Sequence, residues 1–551
     1  MNYKKYKPYP TVKLKNRKWP DKTIKKAPIW CSVDLRDGNQ ALEIPMNLEQ
    51  KLKFFKFLVN MGFKEIEVGF PAASETEFTF LRKLIEEDLI PDDVTVQVLT
   101  QAREHIIKRT FEALKGVKRA IVHLYNSTSV LQRKVVFNKN KEEIKELAVQ
   151  GAKLVKQFAD EMEKENIIYE YSPESFTGTE LDYAIEICEA VLDVWKPTKE
   201  NKAIINLPAT VEMSTPNVYA DQIEYFCDNI KNRESIILSV HTHNDRGTAV
   251  AASELAMLAG AERIEGTLFG NGERTGNADI ITIAMNLYSQ GIDPKLDFSD
   301  ADAIVDIYKE STRMEVSPRH PYVGDLVYTA FSGSHQDAIK KGMDRYRKEK
   351  PKYWEVPYLP IDPMDIGKNY DPIIRINSQS GKGGVSYILE NDFGYRLPKN
   401  MQQDFSLIIT NESDKKQEEL SPQRIYEIFI KEYMNIDNPF CLKSYNVSNQ
   451  NGKVSVSAVI EKNGKEEDIN GDGNGPIDAL CNAVRKYSSV KFKVVSYDEH
   501  SLEQGSDSRA VSYIQLQDEN GNSFFGAGID ANINTSSMKA FISAFNKMIK
   551  N

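Results

Sequence analysis

The chain has 551 residues, 41% of them hydrophobic and 27% charged, with 71 Lys and Arg against 80 Asp and Glu for a formal net charge of −9. That much apolar mass supports several folded cores and excludes a chain disordered throughout, and the acidic balance argues against nucleic acid, which rewards clustered positive charge. The five cysteines, Cys31, Cys188, Cys227, Cys441 and Cys481, form no CxxC pair, so neither a disulfide framework nor a cysteine zinc site is expected and a reducing, cytoplasmic setting fits.

Residues 1–26 form a basic arm, with ten Lys or Arg and Asp21 as the single acid. It has one Arg and no Ser, and Pro8, Pro10 and Pro20 interrupt any helix. It therefore reads as a solvated arm packing on a neighbour rather than a transit peptide. No apolar run reaches the roughly 18 residues of a membrane span.

From residue 27 two patterns alternate. Short β-branched runs predict buried strands at 28–35, 63–70, 94–100, 119–125, 167–172, 203–208, 235–242 and 263–269. Between them, segments such as 48–62, 141–163 and 181–195 repeat apolar residues at spacings of three and four, with Lys and Glu between. Eight strand–helix pairs are the signature of a (β/α)₈ TIM barrel, here over 27–300. A doubly wound sheet would use fewer strands and a Gly-rich first turn, and DLRDGNQ (34–40) holds no GxGxxG. Residues 301–423 lose the rhythm and predict a small helical linker region, with the polar stretch 411–423 as a boundary.

Residues 424–551 contain an internal repeat, seen in 452–484 and 508–545. Each copy predicts a strand, a turn, a strand, a G-x-G loop (Gly471/Gly473 and Gly526/Gly528) and a helix. One unit used twice implies a small α+β domain with a two-fold repeat. The glycines are expected to let a small ligand approach backbone N–H groups at the pseudo-axis.

In a barrel, chemistry collects where the strands end. The first strand ends in Arg36 and Asp37, the fourth carries His123, and the fifth ends at Ser172 and Glu174. Thr210 follows the sixth, the seventh holds His241 and His243, and the loop GNGERTGN (270–277) holds Glu273 and Asn277. On a strand, residues two apart face the same side, so both imidazoles point into the mouth. Imidazole and carboxylate suit a divalent cation such as Mg²⁺, Mn²⁺ or Zn²⁺, although two buried, hydrogen-bonded histidines would give the same sequence. Asp37 is the expected anionic ligand, or else a turn residue ahead of Gly38. Asn277 offers an amide oxygen. Arg36 would stabilise a developing alkoxide or pair with an acid. Glu174 and His335 are acid–base candidates, and Ser172 and Glu273 are candidates for substrate contact.

The motifs DLRDGNQ (34–40), EVGFP (67–71), YSPESF (171–176), NLPATVE (206–212), HTHND (241–245) and GNGERTGN (270–277) resemble those of the 2-isopropylmalate synthases. The resemblance continues through VPYLPIDP (356–363), SQSGKGGV (378–385), GDGNGPIDA (471–479) and GSDSRA (505–510), so it covers almost the whole chain. It implies condensation of acetyl-CoA with 3-methyl-2-oxobutanoate, then thioester hydrolysis to 2-isopropylmalate and CoA. It further implies Asp37, His241, His243 and Asn277 as ligands of a cation chelated by the 2-oxo acid, Thr210 on the substrate carboxylate, and Glu174 and His123 lining the pocket. His335 and Tyr358 would reach the site from the partner subunit of a homodimer, and the C-terminal domain would bind leucine as a feedback inhibitor. Citramalate and homocitrate synthases, a carbon–carbon lyase and a non-catalytic metabolite sensor are the competing expectations.

Overall fold

The β-branched runs become eight parallel strands: β1 (Ile29–Ser32), β2 (Glu65–Gly69), β3 (Thr95–Gln101), β4 (Ala120–Ser127), β5 (Ile167–Glu174), β6 (Ala203–Ala209), β7 (Ile236–Thr242) and β8 (Arg263–Gly266). Each pairs with the next, and β8 pairs back onto β1 with Ile29 opposite Arg263, which closes the barrel. This computed structural model describes residues 5, 9–162, 167–330, 332–368, 382–416, 420–450, 453–502 and 508–550. Residues 378–381 and 505–507 of the motifs above lie outside the described residues. The chain forms two compact units, Met1–Val327 with Ile361–Asn369, and Tyr328–Pro360 with Tyr370–Asn551.

Local chemistry fixes the helices around the barrel. Leu48–Met61 starts at an Asn47/Gln50 capping box and ends at Gly62, whose φ of +103° is a left-handed helix stop. It buries Phe54, Phe55, Leu58 and Met61 on one face. Lys141–Asp160 opens on a second capping box, Asn140 with Glu143. Among the described residues no helix is long and apolar enough to cross a membrane.

Two strand expectations are corrected. β1 stops at Ser32, and a π-helical turn, Asp34–Gly38, follows it. The Asp34 carboxylate accepts from Ser32 Oγ at 2.7 Å and from the Leu268 N–H at 3.0 Å, tying that turn to the end of β8. β7 stops at Thr242, one residue short of His243, which instead forms an isolated bridge with Asn277.

The arm packs on the barrel's own helix Pro216–Asn229. Arg17 grips Asp221 with two bonds of 2.7 Å, and Trp19 Nε1 donates to the same carboxylate at 2.8 Å.

In the second unit, helices Lys382–Phe393, Lys399–Lys416 and Pro422–Tyr433 share a core that includes Leu389, Phe405, Phe429 and Tyr433. The polar stretch expected as a boundary at 411–423 begins inside the second of these helices, whose buried face includes Ile409 and Ser413.

Two antiparallel three-stranded sheets follow: β9 (Phe440–Gln450), β10 (Lys453–Lys462) and β11 (Lys465–Gly473), then β12 (Phe492–Ser501), β13 (Ala510–Asp518) and β14 (Ser523–Asp530). Each sheet precedes one helix, Pro476–Ser488 or Ile533–Lys550. The repeat thus has three strands, one more than the sequence suggested. Phe440 and Phe492, each opening the first strand of its copy, both pack on Phe545, so the copies share one core.

The G-x-G pairs are not loops. They lie in β11 and β14, where a Cβ on Gly471 would sit 2.4 Å from the Ala479 carbonyl oxygen and one on Gly526 would sit 2.2 Å from Ala544 N. These glycines let each sheet press onto its own helix, so the space a side chain would take at each is filled by helix backbone.

Candidate active site

At the C-terminal ends of the barrel strands lies a cavity of about 240 Å³. Arg36, Asp37, His123, Ser172, Glu174, Thr210, His241, His243 and Glu273 all line it, so strand ends and loops distant in sequence converge on one space.

Asp37, His241 and His243 form its floor. Their ligand-type atoms lie within 4.8 Å of one another, and all three residues are buried. The imidazole rings are 5.0 Å apart at the centroids. His241 Nδ1 lies 2.8 Å from Glu265 Oε2, and His243 Nδ1 lies 3.2 Å from the Gly276 carbonyl oxygen. If each Nδ1 carries the proton toward its oxygen partner, both Nε2 lone pairs are left to face Asp37. This is how carboxylates and carbonyls orient histidine ligands.

Asn277 donates to Asp37 Oδ2 at 2.7 Å and to the Asn271 carbonyl. Its own Oδ1 is buried with no hydrogen-bond partner. A carboxylate, two imidazole nitrogens and the orphaned oxygen of an amide whose nitrogen touches that carboxylate are donor types that fit a divalent cation. The loop is built for this placement: a Cβ on Gly272 would sit 2.2 Å from Asn277 Nδ2, so only glycine leaves the amide its room.

Electrostatics favour ligand protonation states. Burial works against charge on Asp37, but Arg36 and then the two imidazoles outweigh it and hold the carboxyl at about 2. Burial, followed by the neighbouring His241, brings His243 down to about 4, which keeps it neutral near pH 7. Arg36 bonds Asp37 Oδ1 at 2.6 Å and Glu67 Oε2 at 2.5 Å, so two acids fix its guanidinium at the cavity wall.

Of the remaining predicted residues, His123, Ser172, Glu174, Thr210 and Glu273 line the cavity around this floor. His123 Nε2 meets Ser172 Oγ at 2.7 Å, and its Nδ1 lies 3.2 Å from Glu67. Glu174 accepts from Ser127 Oγ. Thr210 Oγ1 accepts the Ser175 N–H at 2.9 Å, so its own hydroxyl proton is not used in that bond. Glu273 accepts from Gln40 at 3.2 Å on the rim. His335 and Tyr358 belong to the other compact unit, where their rings stack 4.0 Å apart.

A charged layer beneath the floor escaped the sequence reading. Glu67, Gln97, Glu170, Arg263 and Glu265 are all fully buried inside the barrel, where branched apolar residues usually pack. Arg263 bonds Glu65, Ser239, Glu265 and Gln97. Burial opposes the charge of Glu265, but Arg263 and His241 hold its carboxyl low, whereas burial drives Glu170 well above the usual range. The available signal was polar residues inside runs otherwise patterned as buried strands.

Residues 27–307 match the HMGL-like family, 325–390 the alpha-isopropylmalate synthase post-catalytic domain-like family, and 419–549 the LeuA allosteric (dimerisation) domain. The chain is 61% identical over 557 residues to the 2-isopropylmalate synthase of Clostridium acetobutylicum, covering 99% of both chains. It is 60% identical to that of Acetoanaerobium sticklandii, covering 100% of this chain and 97% of the relative. It is 54% identical to that of Helicobacter hepaticus, with both chains covered in full.

Proposed function

The chain belongs to the 2-isopropylmalate synthases, acyltransferases of leucine biosynthesis that carry an allosteric domain, and we propose that its barrel mouth joins acetyl-CoA to 3-methyl-2-oxobutanoate with a divalent cation held by Asp37, His241, His243 and Asn277. The observation that carries this reading is the convergence of Asp37 and the two imidazoles on the cavity floor. The unpaired oxygen of Asn277, whose amide nitrogen touches Asp37, supports the fourth ligand. Mg²⁺, Mn²⁺ and Zn²⁺ all accept such mixed ligands. When bound, the cation would supply Lewis-acid polarisation of the keto group.

The chain's own groups supply the rest. Arg36, held by Asp37 and Glu67, presents positive charge where the keto oxygen becomes an alkoxide as the acetyl carbon attacks. Thr210 donates its hydroxyl proton to the substrate carboxylate while accepting from Ser175. His123, Ser172 and Glu273 contact the substrate from the walls and rim. Glu174, together with His335 and Tyr358 of a second copy, serves the proton transfers of enolisation and thioester hydrolysis. Water then cleaves the thioester, releasing CoA as the free thiol and 2-isopropylmalate.

In this reading 27–300 is the catalytic barrel, 301–423 the linker region and 424–551 the regulatory domain of a homodimer. Leucine acts there by favouring a less active conformation, a coupling typically of about 1–3 kcal/mol. The five unpaired cysteines are consistent with the cytoplasm.

The test is release of free thiol from acetyl-CoA with 3-methyl-2-oxobutanoate, pyruvate or 2-oxoglutarate, each with and without leucine. The expected result is preference for 3-methyl-2-oxobutanoate and inhibition by leucine. Preference for pyruvate or 2-oxoglutarate would move the chain to a citramalate or homocitrate activity. Leucine binding without turnover would make it a sensor.

A further inference from the structure

The helix Pro216–Asn229 buries Asp221, Gln222 and Glu224, each 2% exposed. Charged side chains are almost never buried this deeply unless paired. Their partners come from the N-terminal arm. Asp221 takes Arg17 and Trp19, and the Glu224 carboxylate takes the Lys18 backbone N–H at 3.0 and 3.2 Å. Gln222 donates at 2.9 Å to the Tyr9 hydroxyl. This helix face is therefore built to hold the arm.

Tyr9 carries that anchorage to the cavity loops. Its hydroxyl donates to the Thr177 carbonyl, just beyond β5 and three residues past Glu174. The Thr177 hydroxyl in turn donates to the Val211 carbonyl at 2.9 Å, next to Thr210. Between these bonds Ser175, at φ +60°, points its N–H at Thr210 Oγ1. A non-glycine residue in the left-handed region persists only where its surroundings hold it.

We infer that Tyr9 is a positioning residue: through Thr177 it locks the loops after β5 and β6 to each other, and so sets the separation of Glu174 and Thr210 at the substrate. This rests on the roles proposed above, proton transfer for Glu174 and the substrate carboxylate for Thr210. Tyr9 touches no substrate. Its effect falls on the keto acid and its proton transfers and not on the cation, whose ligands lie in the turn after β1, at the end of β7 and just past it, and in the loop after β8.

Tyr9→Phe removes one hydroxyl and keeps the ring. It is expected to raise KM for 3-methyl-2-oxobutanoate about three- to tenfold through Thr210, the effect of one lost hydrogen bond, and to lower kcat through the displaced Glu174, with Mn²⁺ affinity little changed. Thr177→Val should do the same, and the double variant should be no worse than the more severe single one. Lys18→Ala, which loses only the surface pair with Asp228, should match the parent. Hydrogen exchange supplies a readout independent of turnover: the Ser175 amide should lose protection in Tyr9→Phe.

An unchanged KM, independent multiplication of the two effects, or undisturbed Ser175 exchange would overturn the inference. A parent without keto-acid turnover would instead sink the proposed function, leaving the exchange measurement to judge the role of Tyr9.

Discussion

His241 and Glu265 stand opposite each other on β7 and β8, and their side chains meet inside the barrel, Nδ1 to Oε2, at 2.8 Å. The carboxylate belongs to the buried charged layer and the imidazole to the cavity floor, so this contact joins the two. It sets which nitrogen of His241 remains a lone-pair donor.

Glu265→Gln keeps the shape and removes the charge. Roughly 10–100-fold weaker cation affinity is expected, the usual effect of losing an outer partner of a histidine ligand. Calorimetric titration with Mn²⁺ checks this, and affinity equal to the parent's would show that Glu265 does not tune His241.

His241→Ala should abolish cation-dependent thiol release while leaving the barrel folded, as judged by circular dichroism and melting temperature. Near-normal turnover in chelating buffer would remove its assigned role.

Arg36→Lys tests the guanidinium held between Asp37 and Glu67. A lysine cannot reproduce the bidentate fork. On the alkoxide role, kcat should fall roughly 10²–10³-fold with KM for the keto acid little altered. A rise in KM alone would make Arg36 a binding group.

Gly526→Val drives a side chain into the helix Ile533–Lys550 at a point where even a Cβ lies 2.2 Å from Ala544 N. A loss of about 1–3 kcal/mol, typical of overpacking, is expected for the second unit. With it should come weaker inhibition by leucine, while turnover without leucine persists. Unchanged melting and unchanged inhibition would show that the repeat does not carry regulation.

The barrel was legible because its strands keep their β-branched runs and its helices their 3.6-residue period. Asp37, His241, His243 and Asn277 stood out through their residue types at strand ends and in the following loops. Where reading failed, long-range contacts decided the outcome. β1 ended early because Asp34 bonds Leu268, 234 residues away. The G-x-G pairs looked like ligand loops because glycine has the same letter whether it admits a ligand or a helix. Glu170, Arg263 and Glu265 were hidden because one strand does not reveal that its polar residues meet those of its neighbours inside a closed sheet.

The most direct measurement is Mn²⁺ titration of the metal-stripped protein beside Asp37→Asn and His243→Ala, with thiol release followed in the same samples. The proposed site predicts one ion per chain, binding severely weakened in both variants, and keto-acid-dependent turnover that returns only when the ion does. Equal Mn²⁺ affinity in parent and variants, or full turnover of the stripped protein, would contradict it.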